Sequence, residues 1–407
     1  MRSLRPTTSP QEAPAAGRRR RRTAAASVSA VAVMALLAAG LLASPAKTEA
    51  APRPELQQRM DELVAAGAPG VAALVDDGET QPWADARGTA DLRTGRPLRP
   101  GDRFRAGSVT KSFVATVALQ LVDEGRLSLS DTVESRLPRV LPYGDRVTLR
   151  QLLNHTSGVP EYAIGLRERV YQGERFRSWA PRELVALIAG EPQRFPSGTT
   201  FAYTNTNYVL AGLMIEQATG HRLGHEVDRR ILEPLRLRDT SFPVDTPTIA
   251  GPSARGYSLD HDEQGEPVEG PLLDLTVYNP SAMWAAGNMV SDLDDLARFY
   301  RALLGGRLLS AARLAEMKAD GEPWESGQRY GLGLHAIETP CGPIFGHTGG
   351  VPGFSTFAFG SEDGTRQVGL MVNAEDAPAA VGGPFDRTVE QAVREAFAGT
   401  GRCESGA

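Results

Sequence analysis

The sequence predicts an α/β protein whose sheet is assembled from both ends of the chain, with a helical lobe inserted between them. Three observations carry this. Short apolar or alternating runs bounded by turn residues cluster at 71–89 and again at 330–372. Between about 126 and 284 the texture changes to short helical periodicities and irregular loops. A helical run that is apolar almost all round starts at 108, which places a buried helix at the centre of a domain. The implied division is 1–50 as a signal peptide, 51–110 with 285–403 as an α/β lobe, and 111–284 as a helical lobe. A cleft between the lobes is the expected ligand site.

The leader is read from the order of its regions. Residues 18–22 are consecutive arginines, 24–43 are uncharged and rich in Ala, Leu and Val, and Ser44-Pro45-Ala46 and Thr48-Glu49-Ala50 are small-residue sites suited to cleavage. That order is a secretory signal, so the mature protein is expected outside the cell. A membrane association follows only if the apolar stretch stays uncleaved, since about 20 residues can span a bilayer. Export gives the two cysteines a meaning: Cys341 and Cys403 are expected to form a single disulfide, worth roughly 4 kcal/mol at most. A net charge of -5 on 407 residues gives no reason to expect nucleic acid as a partner.

After the leader, Leu56, Met60, Leu63 and Val64 fall at helical spacing and Gly67 and Gly70 end the run. Residues 71–75 and 83–89 read as strands, with Asp76-Asp77-Gly78 turning between them. The helix from Ser108 runs to Glu124, with Gly125 placed to cap it. Further helices are expected at 149–154, 181–189, 208–218 and 226–232. Ser291 with Asp294 resembles a capping box for 293–304, and Ser310 is placed to cap 311–319. Strands return at 330–337, 344–347, 354–359 and 367–372, the last two joined by Glu362-Asp363-Gly364, and a helix at 389–397 closes the chain.

The chemistry centres on Ser108 and Lys111, which share one face of a helix start. Lysine is nearly absent from the chain: only Lys47, Lys111 and Lys318 occur. Arginine cannot be deprotonated in a protein whereas a buried lysine can, so Lys111 is marked for proton transfer. Ser44 and Lys47 repeat the spacing, but inside the segment expected to be removed. Ser108 would sit where unpaired N–H groups and the helix dipole favour an oxyanion. A second element is Tyr203-Thr204-Asn205, in which an ammonium-lowered tyrosine could relay a proton and Asn205 could bridge a substrate amide. A third is His347-Thr348-Gly349-Gly350 at a strand end, offering a positive charge, a hydroxyl and the Gly350 N–H. His221 and His225 have the spacing of a metal pair, but Gly220 and Gly224 break the pattern and no third ligand is evident, so they read as exposed loop histidines and no metal is expected. His155 reads as a structural hydrogen-bonding residue. No Gly-x-Ser-x-Gly occurs.

Ser108-x-x-Lys111, Tyr203-x-Asn205 and His347-Thr348-Gly349, in this order, resemble the three motifs of the penicillin-recognising serine hydrolases, in the version of the class C β-lactamases and exported D-alanyl-D-alanine carboxypeptidases. Leu152-Leu153-Asn154-His155-Thr156-Ser157-Gly158 and Ile231-Leu232-Glu233-Pro234-Leu235 are similar to that family's connecting segments. The resemblance implies a β-lactamase-like fold, an antiparallel sheet flanked by helices with an inserted all-helical lobe. It implies acylation of Ser108 without metal or organic cofactor, Lys111 and Tyr203 managing protons, Asn205 positioning the amide, and an oxyanion between the N–H groups of Ser108 and Gly350. The expected substrates are D-alanyl peptides, with an esterase, a β-lactamase or a non-catalytic penicillin- or peptide-binding protein as alternatives, and with β-lactams as acylating ligands. Trp284 resembles an aromatic cleft residue, or is a core tryptophan. The carboxypeptidases it resembles carry a carboxylate-binding arginine six residues before the first cysteine and a threonine after His-Thr-Gly; here these are His335 and Gly350. Loss of a bidentate partner is expected to weaken selection for a free C-terminus.

Overall fold

Side-chain alternation along one strand organises the molecule. In the computed structural model, β1 (Gly70–Asp76) sends Val71, Ala73 and Val75 into one apolar layer and Ala72 and Leu74 into another. A strand covered on both faces reads as an unbroken apolar run, as 71–75 does. The structure describes residues 49–164, 166, 173–261, 267–319, 322–323, 328–339, 342–375 and 383–396. The expected leader up to residue 48, Cys341 and Cys403 lie outside them, so the disulfide expectation does too.

In chain order the strands continue as β2 (Trp83–Asp91), β3 (Arg96–Pro97), β4 (Phe104–Arg105), β5 (Tyr257–His261), β6 (Pro267–Asp274), β7 (Val290–Ser291), β8 (Glu322–Pro323), β9 (Gln328–Tyr330), β10 (His335–Ile337), β11 (Ile344–Val351), β12 (Phe354–Ser361), β13 (Gln367–Val372) and β14 (Ala374–Glu375). One nine-stranded antiparallel sheet has the order β3-β2-β1-β13-β12-β11-β10-β9-β8. The two ends of the chain therefore meet in mid-sheet, with Val71 opposite Val372. β4 pairs with β7, and β5, β6 and β14 form a small separate sheet. The β5–β6 hairpin lies in the segment whose sequence showed few strand signals, and 330–337 divides into β9 and β10 around Gly331 and Gly333.

The helices are α1 (Pro54–Ala65), α2 (Thr110–Asp123), α3 (Val133–Arg136), α4 (Leu149–Leu153), α5 (Pro181–Ala186), α6 (Asn205–Thr219), α7 (Leu223–Val227), α8 (Leu293–Leu304), α9 (Ala311–Lys318) and α10 (Gly383–Ala396). α1 and α10 cover one face of the sheet, where Leu56, Met60, Leu63, Ala392 and Val393 meet Val71, Phe357 and Leu370. α8 covers the other through Leu293, Leu296, Phe299 and Leu303. Its N-cap is Asp292, whose carboxylate accepts from Asp295 N–H, rather than the expected Ser291, whose hydroxyl is taken up by Thr240 and the Asp292 carbonyl. α2 is buried on nearly every side, Phe113 stacking on Phe299 with ring centroids 3.6 Å apart. The expected helix at 226–232 is α7 followed by a π-helical turn, Asp228–Leu232. No described helix is long and apolar enough to cross a membrane.

Candidate active site

Ser108 sits half-buried on a short 3-10 turn, Gly107–Val109, that leads directly into α2. Two glycines let this turn and the end of β11 interlock. A Cβ on Gly107, whose φ is +55°, would lie 3.0 Å from Gly350 N, and one on Gly349 would lie 2.1 Å from the Ala106 carbonyl oxygen. β10 covers β11 only from Ile344 to Gly346, so past that point the strand edge beside Ser108 has no β10 partner.

Lys111 is fully buried, and its Nζ lies 2.9 Å from Ser108 Oγ, 2.9 Å from Asn205 Oδ1 and 2.7 Å from the Ala286 carbonyl oxygen. Burial draws its pKa down to about 7, with Glu161 opposing the shift. The neutral amine can donate to Asn205 Oδ1 and Ala286 O while accepting the Ser108 hydroxyl proton, which is the geometry of a general base. Asn205 opens α6, and its N–H and Nδ2 donate to Glu161 Oε2 at 2.6 and 3.1 Å. Glu161, Asn205, Lys111 and Ser108 thus form one hydrogen-bonded chain. Burial raises the Glu161 carboxyl above its ordinary range, opposed by the N–H groups of Asn205 and Ala163 and by Lys111.

Tyr203 is hydrogen-bonded to Ser108, and Lys111 Nζ lies 4.8 Å from its ring centroid. Its phenol is pushed up, not down: burial outweighs the hydrogen bond to Ser108, so Tyr203 works as a neutral hydroxyl. His155, at φ +61°, fixes this segment: Nδ1 accepts from Thr204 N–H at 3.2 Å and the ring packs 4.2 Å from Tyr203. His347 also differs from the expectation of a positive charge. Burial, with Lys111 adding repulsion, lowers its pKa to about 3. Its Nδ1–H donates to the Thr348 carbonyl and its Nε2 accepts from the Tyr330 hydroxyl at 2.9 Å.

A cavity of about 850 Å³, open solvent at its mouth included, lies beside this chain and is lined by Glu161, Asn205, Tyr278, Met283, Gly350 and Glu375 among others. That volume suits a small ligand. A model of the beta-lactamase family matches residues 56–392. The chain belongs to the beta-lactamase family. It is 30% identical over 363 residues to the esterase EstB of Burkholderia gladioli, covering 79% of this chain and 90% of that one. The solved D-stereospecific amidohydrolase from Streptomyces sp. superposes with a TM-score of 0.76 at 36% identity, covering 86% of this chain and 99% of that one. The D-amino acid amidase from Ochrobactrum anthropi SV3 does so with 0.74 at 28%, covering 84% and 98%. This beta-lactamase-family protein is a penicillin-recognising serine hydrolase with the β-lactamase-like fold.

Within that family fold the residues expected to meet substrate take up different positions. Gly350 lines the cavity and Gly349 is buried against the turn before Ser108. Thr348 pairs with Phe357, a member of the layer under α1 and α10, so it lies on the sheet face opposite His347. Trp284 is a core residue, 2% exposed and packed on Gly212 of α6; its neighbour Met283 lines the cavity instead. His335 is fully buried with its ring 4.3 Å from that of His347, so it is no substitute for a carboxylate-binding arginine in the cleft. Glu161, Tyr278 and Glu375 are site residues that no motif announced; the one available signal for Glu161 was its place just past the His155-Thr156-Ser157-Gly158 stretch.

Proposed function

We propose that this chain is an exported hydrolase that forms an acyl-enzyme at Ser108 and cleaves amides or esters of D-amino acids bearing a free amino group. The observation that carries the reading is the charge of the cavity: its described lining holds two carboxylates, Glu161 and Glu375, and no arginine or lysine. A substrate ammonium is matched by such a wall, whereas the terminal carboxylate of a D-alanyl-D-alanine peptide would face like charge. This favours an aminoacyl amide or ester over the carboxypeptidase substrate that the motifs imply. The D-configuration is supported by likeness to the two D-specific amide hydrolases, and ester cleavage by likeness to EstB. Export is supported by the basic, apolar and small-residue order of 18–50.

In this reading Ser108 Oγ attacks the carbonyl carbon as its proton passes to Lys111 Nζ, and the oxyanion is held by the N–H groups of Ser108 and Gly350. The C–N or C–O bond then breaks, the leaving group taking the proton from Lys111 through the Tyr203 hydroxyl. Water attacks the ester on Ser108, releasing the acid and restoring the serine. The test compares D-phenylalanine amide, its L enantiomer, its N-acetyl derivative and a D-Ala-D-Ala peptide. The expected order has D-phenylalanine amide first, Glu161→Gln raising its KM, and Ser108→Ala abolishing both turnover and a covalent penicillin adduct seen by mass spectrometry. Equal turnover of the N-acetyl derivative, or preference for the D-Ala-D-Ala peptide, would overturn the amine-recognition reading.

A further inference from the structure

We propose that the corner between α6 and α7 binds a divalent transition metal of the zinc type through His221 and His225. Two glycines make the spacing look broken in sequence, yet neither separates the pair. Gly220, at φ +74°, ends α6 in the left-handed conformation and turns the chain, while Gly224 lies inside α7. Both histidines are exposed, and their rings stand nearly perpendicular with centroids 5.1 Å apart. A ring nitrogen from each and a carboxylate oxygen of Glu226 fall within 4.8 Å of one another.

Glu226 supplies what exposed histidine pairs generally lack, a fixed orienting group. Its carboxylate is buried and held by Arg229 at 2.8 Å and Arg230 at 2.6 Å, and its Oε1 lies 2.7 Å from His221 Nδ1. A carboxylate can only accept, so His221 Nδ1–H donates to Glu226 and Nε2 is left as the nitrogen with a lone pair for a metal, the carboxylate–histidine arrangement that orients metal ligands. Because its charge is shared with two arginines, Glu226 acts as the orienting partner, and water completes the coordination. A metal here would tie the end of α6 to α7, whose Leu223 packs against Gly212 in mid-α6.

The site stands apart from the serine chemistry, so its test needs no substrate. Tag-free, chelator-treated protein is titrated with ZnCl2 by calorimetry and melted with and without the metal. The expected result is one equivalent bound and a melting midpoint that rises with zinc concentration. His221→Asn and His225→Asn should each weaken binding at least about tenfold, and Glu226→Gln by a similar factor, as loss of an orienting partner does. The two histidine variants should melt as wild type without metal and keep full hydrolase activity. Absence of zinc binding by the wild type, or binding unchanged in the double histidine variant, would overturn the proposal.

Discussion

Lys111 Nζ has three hydrogen-bond partners and a pKa drawn down to about 7 by burial, and the two facts together assign its proton traffic. A base must be neutral to act, so activity is expected to rise with pH through about 7 and to fall away below it. The acid limb of kcat/KM should report that ionisation. Glu161 is the group that opposes the shift, so its charge sets where the limb falls. In Glu161→Gln the ammonium loses that stabilisation and the limb should move to lower pH, a displacement that loss of a purely structural acid would not produce. Lys111→Arg keeps the charge but cannot lose its proton. It should cost about 10²–10⁴-fold in kcat at every pH, measured with D-phenylalanine amide and a short-chain ester.

At the scale of elements, the site exists because the end of β11 is pressed against the turn before α2, and the adjacent glycines Gly349 and Gly350 divide that task. A side chain at Gly349 meets the Ala106 carbonyl at 2.1 Å, whereas one at Gly350 has nothing nearer than Glu375 Oε1 at 4.0 Å. Gly349→Ala should therefore destabilise by about 1–3 kcal/mol and abolish activity by pushing the strand off the serine. Gly350→Ala should unfold within about 0.5 kcal/mol of wild type while raising KM, as seen by denaturant titration beside steady-state kinetics. The same elements show what a sequence can disclose. Ser108 and Lys111 were legible because they are three residues apart, and Tyr203, Asn205 and the glycines because a motif fixes their local backbone. Glu161 was not, since its partner Asn205 lies 44 positions further along the chain and no local pattern links the two. Alternation fixes a strand's two faces but not which one meets the cleft or how deep a side chain lies, so Thr348 could be assigned to the wrong face, and His335, fully buried beside His347, to a cleft it does not reach. Met283 and Trp284 differ by one position in a run of 3-10 turns, where no regular period tells inward from outward.

For the whole molecule, the consequential choice is that the first and last elements of the fold close one apolar layer together. α1 and α10 share the face of β1 and β13, and the two helices are stitched together by Arg53, itself just before α1. Its guanidinium reaches the Glu395 carboxylate and carbonyl at 3.3 and 3.1 Å and Asp77, in the turn after β1, at 3.3 Å. Arg53 is only 11% exposed, so these are charge-assisted bonds in a partly desolvated place rather than a solvated surface pair. Arg53→Ala should cost about 2 kcal/mol. If the layer folds as one cooperative body, the loss should appear in a single unfolding transition shared by far-UV circular dichroism and tryptophan fluorescence. Deleting 383–407 tests the same idea more severely. It uncovers Leu56, Met60, Val71 and Leu370 at once, so the shortened chain should lose the fold around Ser108 and fail to form a penicillin adduct. A shortened chain that still acylates would mean that the serine machinery is carried by α2, α6 and β11 without the layer beneath them.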